Sequence, residues 1–215
     1  MNRIDGTKAK MREFVAASIF TGIIFLLAFT PFGFINLVVI KGTVIHIPVI
    51  VGSITLGPYW GAFLGAMFGV TSLIINSTAP SLLSFAFSPL ISPPGASHGS
   101  LWALVVCFVP RILVGVTPWC AYRLLQKVSL FKEKRLVSLF VSGIVGSATN
   151  TLLVMHIIYF VFKDSYALAR NVASEAVYAL VKGVIIANGI PEALLAGVLT
   201  SFICKAIETY RKGRN

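Results

Sequence analysis

The chain has 215 residues, 57% of them apolar and only 12% charged, with a mean hydropathy of +0.89. That composition excludes a soluble domain of this length and describes a bundle bathed in lipid. The net charge of +11 does not point to nucleic acid, because the basic residues are dispersed among short loops and termini with no basic, aromatic-interleaved face.

Since a helix needs roughly 20 apolar residues to cross a bilayer, the apolar runs predict six helices in chain order. The first covers about 14–35 and reads as a crossing. It is not a cleavable signal, because no small-x-small site followed by a soluble domain comes after it. A shorter second run, 44–56, leads at once into Gly57-Pro58-Tyr59-Trp60-Gly61, a tight connection with an interfacial aromatic pair, and the third covers 61–75. An uncharged stretch rich in Ser and Pro, residues 76–100, separates it from the fourth, 101–122. The fifth and sixth are 136–162 and 184–207. The expected fold is a single integral membrane domain over 1–215: an all-α membrane protein, a six-transmembrane-helix bundle with long extracellular loops 1, 3 and 5 at residues 36–43, 76–100 and 163–183.

Charge orients the bundle. Arg3, Lys8, Lys10 and Arg12, then Arg123, Lys127, Lys132, Lys134 and Arg135, then Lys205, Arg211, Lys212 and Arg214 fall on one face, against Lys41, Lys163, Arg170 and Lys182 on the other. Lys and Arg in short loops resist translocation, so both termini are expected in the cytoplasm of a multi-pass cell-membrane protein. The long outer loops are too apolar to float and read as a lid over an outward cavity.

Arg111 stands inside an otherwise uncharged helix-length run. A guanidinium cannot deprotonate to escape hydrocarbon, so it must face protein, water or an anion, and charges at this depth are candidates for function. Glu192 is predicted at similar depth, with Asn188 one turn before it on the same helix face and Pro191 between them. His46, Asn76, Ser88, Trp102, Thr149, Asn150 and His156 complete the polar set of the outer half. Two readings of Arg111 stand: contact with a ligand carboxylate through the planar fork, or an ion pair with Glu192. Asn150 and Thr149 serve equally as interhelical hydrogen-bond groups.

Small residues recur at four-residue spacing in the first helix, Ala17 with Thr21 and Ser18 with Gly22, and again in the third, Gly61, Gly65 and Gly69. Such grooves admit a second helix closely, either internal or from a partner protein. Cys107, Cys120 and Cys204 lie in apolar stretches without metal spacing and read as packing, so no metal site is expected. There is no G-x-x-x-x-G-K-[ST] loop, H-E-x-x-H or G-x-S-x-G, which speaks against ATP hydrolysis by this chain and against an enzyme generally. What remains is a binding module, or a structural assembly subunit whose polar residues only hold helices together.

The run from Thr43 to Gly69, with its I-P-x-x-x-G-x-x-x-L-G-P-x-x-G pattern (Ile47 to Gly61), together with Ser84-Phe-Ala-Phe-Ser-Pro and Val109-Pro-Arg-Ile-Leu-Val-Gly-Val-Thr-Pro, resembles the substrate-binding S component of energy-coupling factor (ECF) vitamin transporters. The likeness covers nearly the whole chain. It implies capture of a vitamin from outside and association, through small residues of the first helix (here Ala17, Ser18, Thr21 and Gly22), with a transmembrane scaffold (T) subunit. Two cytoplasmic ATPase subunits then drive toppling of the S component, so ATP is used by the partners and no cofactor belongs to this chain. The Val-Pro-Arg-Ile and Phe-Ser-Pro elements are most similar to the pantothenate-type branch, which would match a carboxylate to Arg111 and hydroxyls and an amide to Asn150, Asn188 and the lid serines. Hydroxymethylpyrimidine, a neutral thiamin precursor, is the alternative cargo, and it would make the Arg111–Glu192 ion pair necessary.

Overall fold

The computed structural model describes residues 3–37 and 40–213; positions 38 and 39 of the first outer loop and Arg214 of the basic C-terminus lie outside them. Helix α1 runs Arg3–Phe29, and its end follows from Pro31, whose ring disfavours helical geometry at Thr30. The expected first helix therefore stops about six residues early. Strands β1 (Phe34–Leu37) and β2 (Ile40–Thr43) pair antiparallel, with Phe34 opposite Thr43, so the first outer loop is a short hairpin.

Helices α2 (His46–Leu56) and α3 (Pro58–Thr78) meet at Gly57, whose φ of 98° is a conformation that a side chain would strain, and Pro58 starts α3 with the φ it already prefers. The fourth predicted helix is two: α4 (Trp102–Val114) and α5 (Thr117–Lys127), parted at Gly115–Val116. A short α6 (Ser129–Lys132) precedes α7 (Arg135–Arg170), which bends at Phe162 and is closed by Asn171 in the left-handed conformation. α8 (Val177–Val184) passes through a π-helical turn, Ile185–Gly189, into α9 (Ile190–Lys212).

Among the described residues, five helical segments are long and apolar enough to cross a membrane: Lys10–Phe29, Pro58–Thr78, Trp102–Lys127, Arg135–Arg170 and Ser174–Tyr210. The second predicted crossing, 44–56, is α2, which has only 11 residues, about 16 Å of helix, roughly half a hydrocarbon thickness. The third long outer loop also differs from expectation. Residues 163–170 continue α7 and 177–183 belong to α8, because Tyr166, Ala167, Val177 and Val181 supply a buried apolar stripe that the charged residues between them conceal in a hydropathy window.

The glycine stripe of α3 is used internally. A Cβ on Gly61 would meet the carbonyl of Gly115, one on Gly65 the carbonyl of Arg111, and one on Gly69 the ring of Phe108 and the carbonyl of Cys107. Each step of four along α3 matches a step of four backwards along α4, so the antiparallel pair is in backbone contact. The Cys107 thiol donates to the Gly69 carbonyl at 3.2 Å. Gly22 of α1 is the opposite case, with nothing within 4 Å of its Cβ position. Gly65→Leu is therefore expected to cost about 3 kcal/mol or more, a fall of roughly 10 °C in the melting temperature of the detergent-solubilised protein or loss of the folded species, whereas Gly22→Leu leaves the melting temperature unchanged.

Candidate functional site

Proline has no N–H, so Pro110 inside α4 leaves the carbonyl of Val106, four residues back, without its helical partner. The side chain of Arg111 fills that gap: Nη1 donates to the Val106 oxygen at 2.7 Å. The neighbouring residues Pro110 and Arg111 thus act as one unit, which turns the guanidinium back along α4 toward its N-terminal end. There its central carbon lies 5.5 Å from the Phe68 ring centroid of α3 and 4.9 Å from that of Phe87 in the loop that follows α3. Each ring face offers negative charge density to a cation.

Arg111 is 7% exposed, and its Nε is buried without a hydrogen-bond partner. No acidic side chain among the described residues forms an ion pair with it; the ion pair found there joins Arg135 to Glu208. Glu192 is engaged elsewhere. Its Oε1 accepts from the backbone N–H of Thr43 at 2.9 Å and from the Thr43 hydroxyl at 3.2 Å, pinning the end of β2 to the start of α9. Of the two readings of Arg111, the pair with Glu192 is not formed.

Two further expected residues carry buried polar atoms that are unmet. His46, 1% exposed in the first turn of α2, has neither ring nitrogen hydrogen-bonded, and Oδ1 of Asn150 on α7 is likewise unpaired. Thr149 shares a 3.0 Å hydroxyl contact with Thr117, and Val154 belongs to the same buried cluster as Val106. Asn150 follows Thr149 on α7, the helix that packs against both α4 and α5. Unpaired buried polar atoms cost stability and mark places where a ligand has something to satisfy.

The remaining expected residues are spent on structure or lie outside this interior. Asn76 donates to the Ser72 carbonyl at 2.8 Å and accepts from the Ser84 hydroxyl at 2.7 Å; Ser88 contacts the Ser77 hydroxyl at 2.8 Å. Both anchor the loop that carries Phe87. Phe85 in that loop packs edge-on to Phe162 at the bend of α7, centroids 5.8 Å apart, and the Ser165 hydroxyl donates to the Pro94 carbonyl at 3.0 Å. His156 is half-buried, with Nδ1 2.7 Å from the Leu152 carbonyl of its own helix. Asn188 is half-buried within the π turn, which absorbs the N–H missing at Pro191, and Trp102 is 56% exposed at the start of α4. On α1, Ala17 is buried and Thr21 half-buried, while Ser18 and Gly22 are exposed.

Phe68 and Phe87, which cover the cation, were not among the residues expected from sequence. Both sit inside the quoted motifs, but nothing in a lone Phe of an apolar run marks it as a partner of Arg111. Two cavities lie along α7 and α9. One of about 180 Å³ is bordered by Arg135, Lys205 and Glu208, and an apolar one of about 290 Å³ by Ile144, Ala148, Ala193 and Leu194. Arg111 lines neither.

Residues 12–204 match the family described as "ECF transporter, substrate-specific component". The chain is also 33% identical over 172 residues, 80% of each sequence, to the "Pantothenic acid transporter PanT" of Lactococcus lactis subsp. cremoris (strain MG1363).

The Pro110–Arg111 unit makes a stability test of role. Arg111→Met alone strands the Val106 carbonyl, but Pro110→Ala combined with Arg111→Met returns its helical N–H and removes a buried charge. The double variant is expected to melt higher than the parent by several degrees, about 1–3 kcal/mol, as measured by thermal unfolding in detergent.

Proposed function

The chain belongs to the family of ECF transporter substrate-specific components, and on that premise we propose that its substrate is pantothenate, held through the carboxylate by Arg111. The observation that carries this reading is a guanidinium buried at membrane depth, fixed in place by a backbone carbonyl and two rings, with no acidic partner among the described residues. A neutral cargo would leave that charge uncompensated. An anion completes it, and a carboxylate offers two coplanar acceptors to the guanidinium fork. The name of the Lactococcus relative agrees with that choice.

His46 and Asn150 are assigned to the hydroxyl and amide groups of the same ligand, because their buried polar atoms are unmet. Hydroxymethylpyrimidine is disfavoured, because the Arg111–Glu192 pair that it requires is replaced by the Thr43–Glu192 contact. Counting α2, which covers only about half of the hydrocarbon, as one of six membrane segments puts the basic face with both termini in the cytoplasm. Ser18 and Gly22, exposed on α1, form the contact with the T subunit, and ATP hydrolysis by two separate ATPase subunits powers release.

Detergent-solubilised protein is expected to bind radiolabelled pantothenate with a dissociation constant of about 1 µM or below. Arg111→Ala should weaken that binding by about tenfold or more, roughly 1.4 kcal/mol. Saturable binding of hydroxymethylpyrimidine with none of pantothenate overturns the assignment.

A further inference from the structure

The surroundings of Arg111 restrict how an anion can reach it. Nη1 is committed to the Val106 carbonyl. The rings of Phe68 and Phe87 lie against the guanidinium at 5.5 and 4.9 Å. Nη1 keeps a second N–H beside Nη2, but the one Arg111 nitrogen that is buried with no partner is Nε, which with Nη2 forms the side edge of the fork. That edge presents two parallel N–H groups in one plane, the geometry that suits two coplanar oxygens.

The two walls differ in kind. Phe68 is part of α3, whose glycines lock it to α4 at Gly65 and Gly69 on either side. Phe87 belongs to an irregular segment tied down by the Ser77–Ser88 and Asn76–Ser84 hydrogen bonds. The first wall is fixed by backbone contact. The second is held by side-chain contacts, those hydrogen bonds and the packing of Phe85 on Phe162, and not by helix backbone against helix backbone, so of the two it is the wall that can shift to admit a ligand and return.

Resting on the pantothenate reading, we infer that Phe87 is a specificity-determining residue: its ring, with that of Phe68, confines the anion to the Nε–Nη2 edge of Arg111 and so selects a planar carboxylate over a tetrahedral oxyanion. A sulfonate or phosphonate is bulkier, with a third oxygen out of the plane, and has to find room beside the Phe87 ring, whose centroid is 4.9 Å from the guanidinium carbon. A carboxylate does not. The ring also keeps water from the guanidinium without supplying a counter-charge that the substrate would have to displace.

The test is competition against radiolabelled pantothenate by three analogues differing at one end: pantothenate itself, the analogue with a sulfonate in place of the carboxylate, and the alcohol in which the carboxylate is reduced to a hydroxymethyl group. For the unaltered protein we expect a preference of about tenfold or more for carboxylate over sulfonate, and a larger loss with the alcohol. Phe87→Leu should reduce the carboxylate-to-sulfonate ratio at least fivefold, and the ring-preserving Phe87→Tyr should retain it. Because the ratio is taken within each variant, a general loosening of the loop cancels. An unchanged ratio in Phe87→Leu, with pantothenate still bound, overturns the role of Phe87 and leaves the substrate standing. Absence of pantothenate binding by the unaltered protein overturns the substrate and this inference together.

Discussion

The bond from Arg111 Nη1 to the Val106 carbonyl is the contact on which the rest of the interior is arranged. In hydrocarbon a free carbonyl and a free guanidinium are each costly, and here each removes part of the other's cost. Pro110 creates the deficit and Arg111 meets it, so the cation's direction is set by its own helix and needs no acidic residue opposite. A carboxylate partner from the protein would have satisfied the charge more completely, but would then have stood in competition with an incoming anion. Cation–π contacts from Phe68 and Phe87 stabilise the charge while leaving an edge of the guanidinium without a hydrogen bond.

That arrangement depends in turn on how closely α3 approaches α4. With Gly61, Gly65 and Gly69 stacked on Gly115, Arg111 and Cys107, the two backbones touch, and Phe68 is carried to the guanidinium by the helix whose neighbouring residue, Gly69, is in contact with Cys107. A larger residue at Gly65 would move the Arg111 backbone itself. The packing stripe and the charged site are therefore one feature seen from two sides, which explains why the sequence has its strictest small-residue spacing in the helix facing its one deeply placed arginine.

The sequence shows the class of fold and singles out Arg111 as a charge inside an apolar run, because each is a property of composition or of a single residue. The Gly57-Pro58 turn is legible for the same reason. The break of the fourth span at Gly115–Val116 and the continuation of α7 to Arg170 are not, since a hydropathy window averages over a backbone break and is interrupted by Lys163, Asp164 and Arg170 even where Tyr166 and Ala167 are buried. The Arg111–Glu192 question could not be resolved from spacing either. Depth along two helices says that two groups could meet, but it contains no rotation, and it was the hairpin's return at Thr43 that took Glu192. Polar loop residues such as Asn76 and Ser88 attract attention as ligands for the same reason that they make good anchors: short side chains with donors and acceptors.

Helix α1 shows how internal packing and an external surface divide a motif that looks uniform. Ala17 and Thr21 are adjacent in sequence to Ser18 and Gly22, and the one-residue offset is a rotation of about 100° on a helix. Ala17 lies on the stripe that continues through Ile24 and Ala28 into the core, and Thr21 returns its hydroxyl to the Ala17 carbonyl at 2.9 Å. Ser18 does the same toward Phe14, but on the exposed side, among Phe14, Val15 and Ile19. The inner pair is used to hold α1 against the bundle. The outer pair is flanked by exposed apolar side chains and open at Gly22, so the two halves of one motif meet different surroundings.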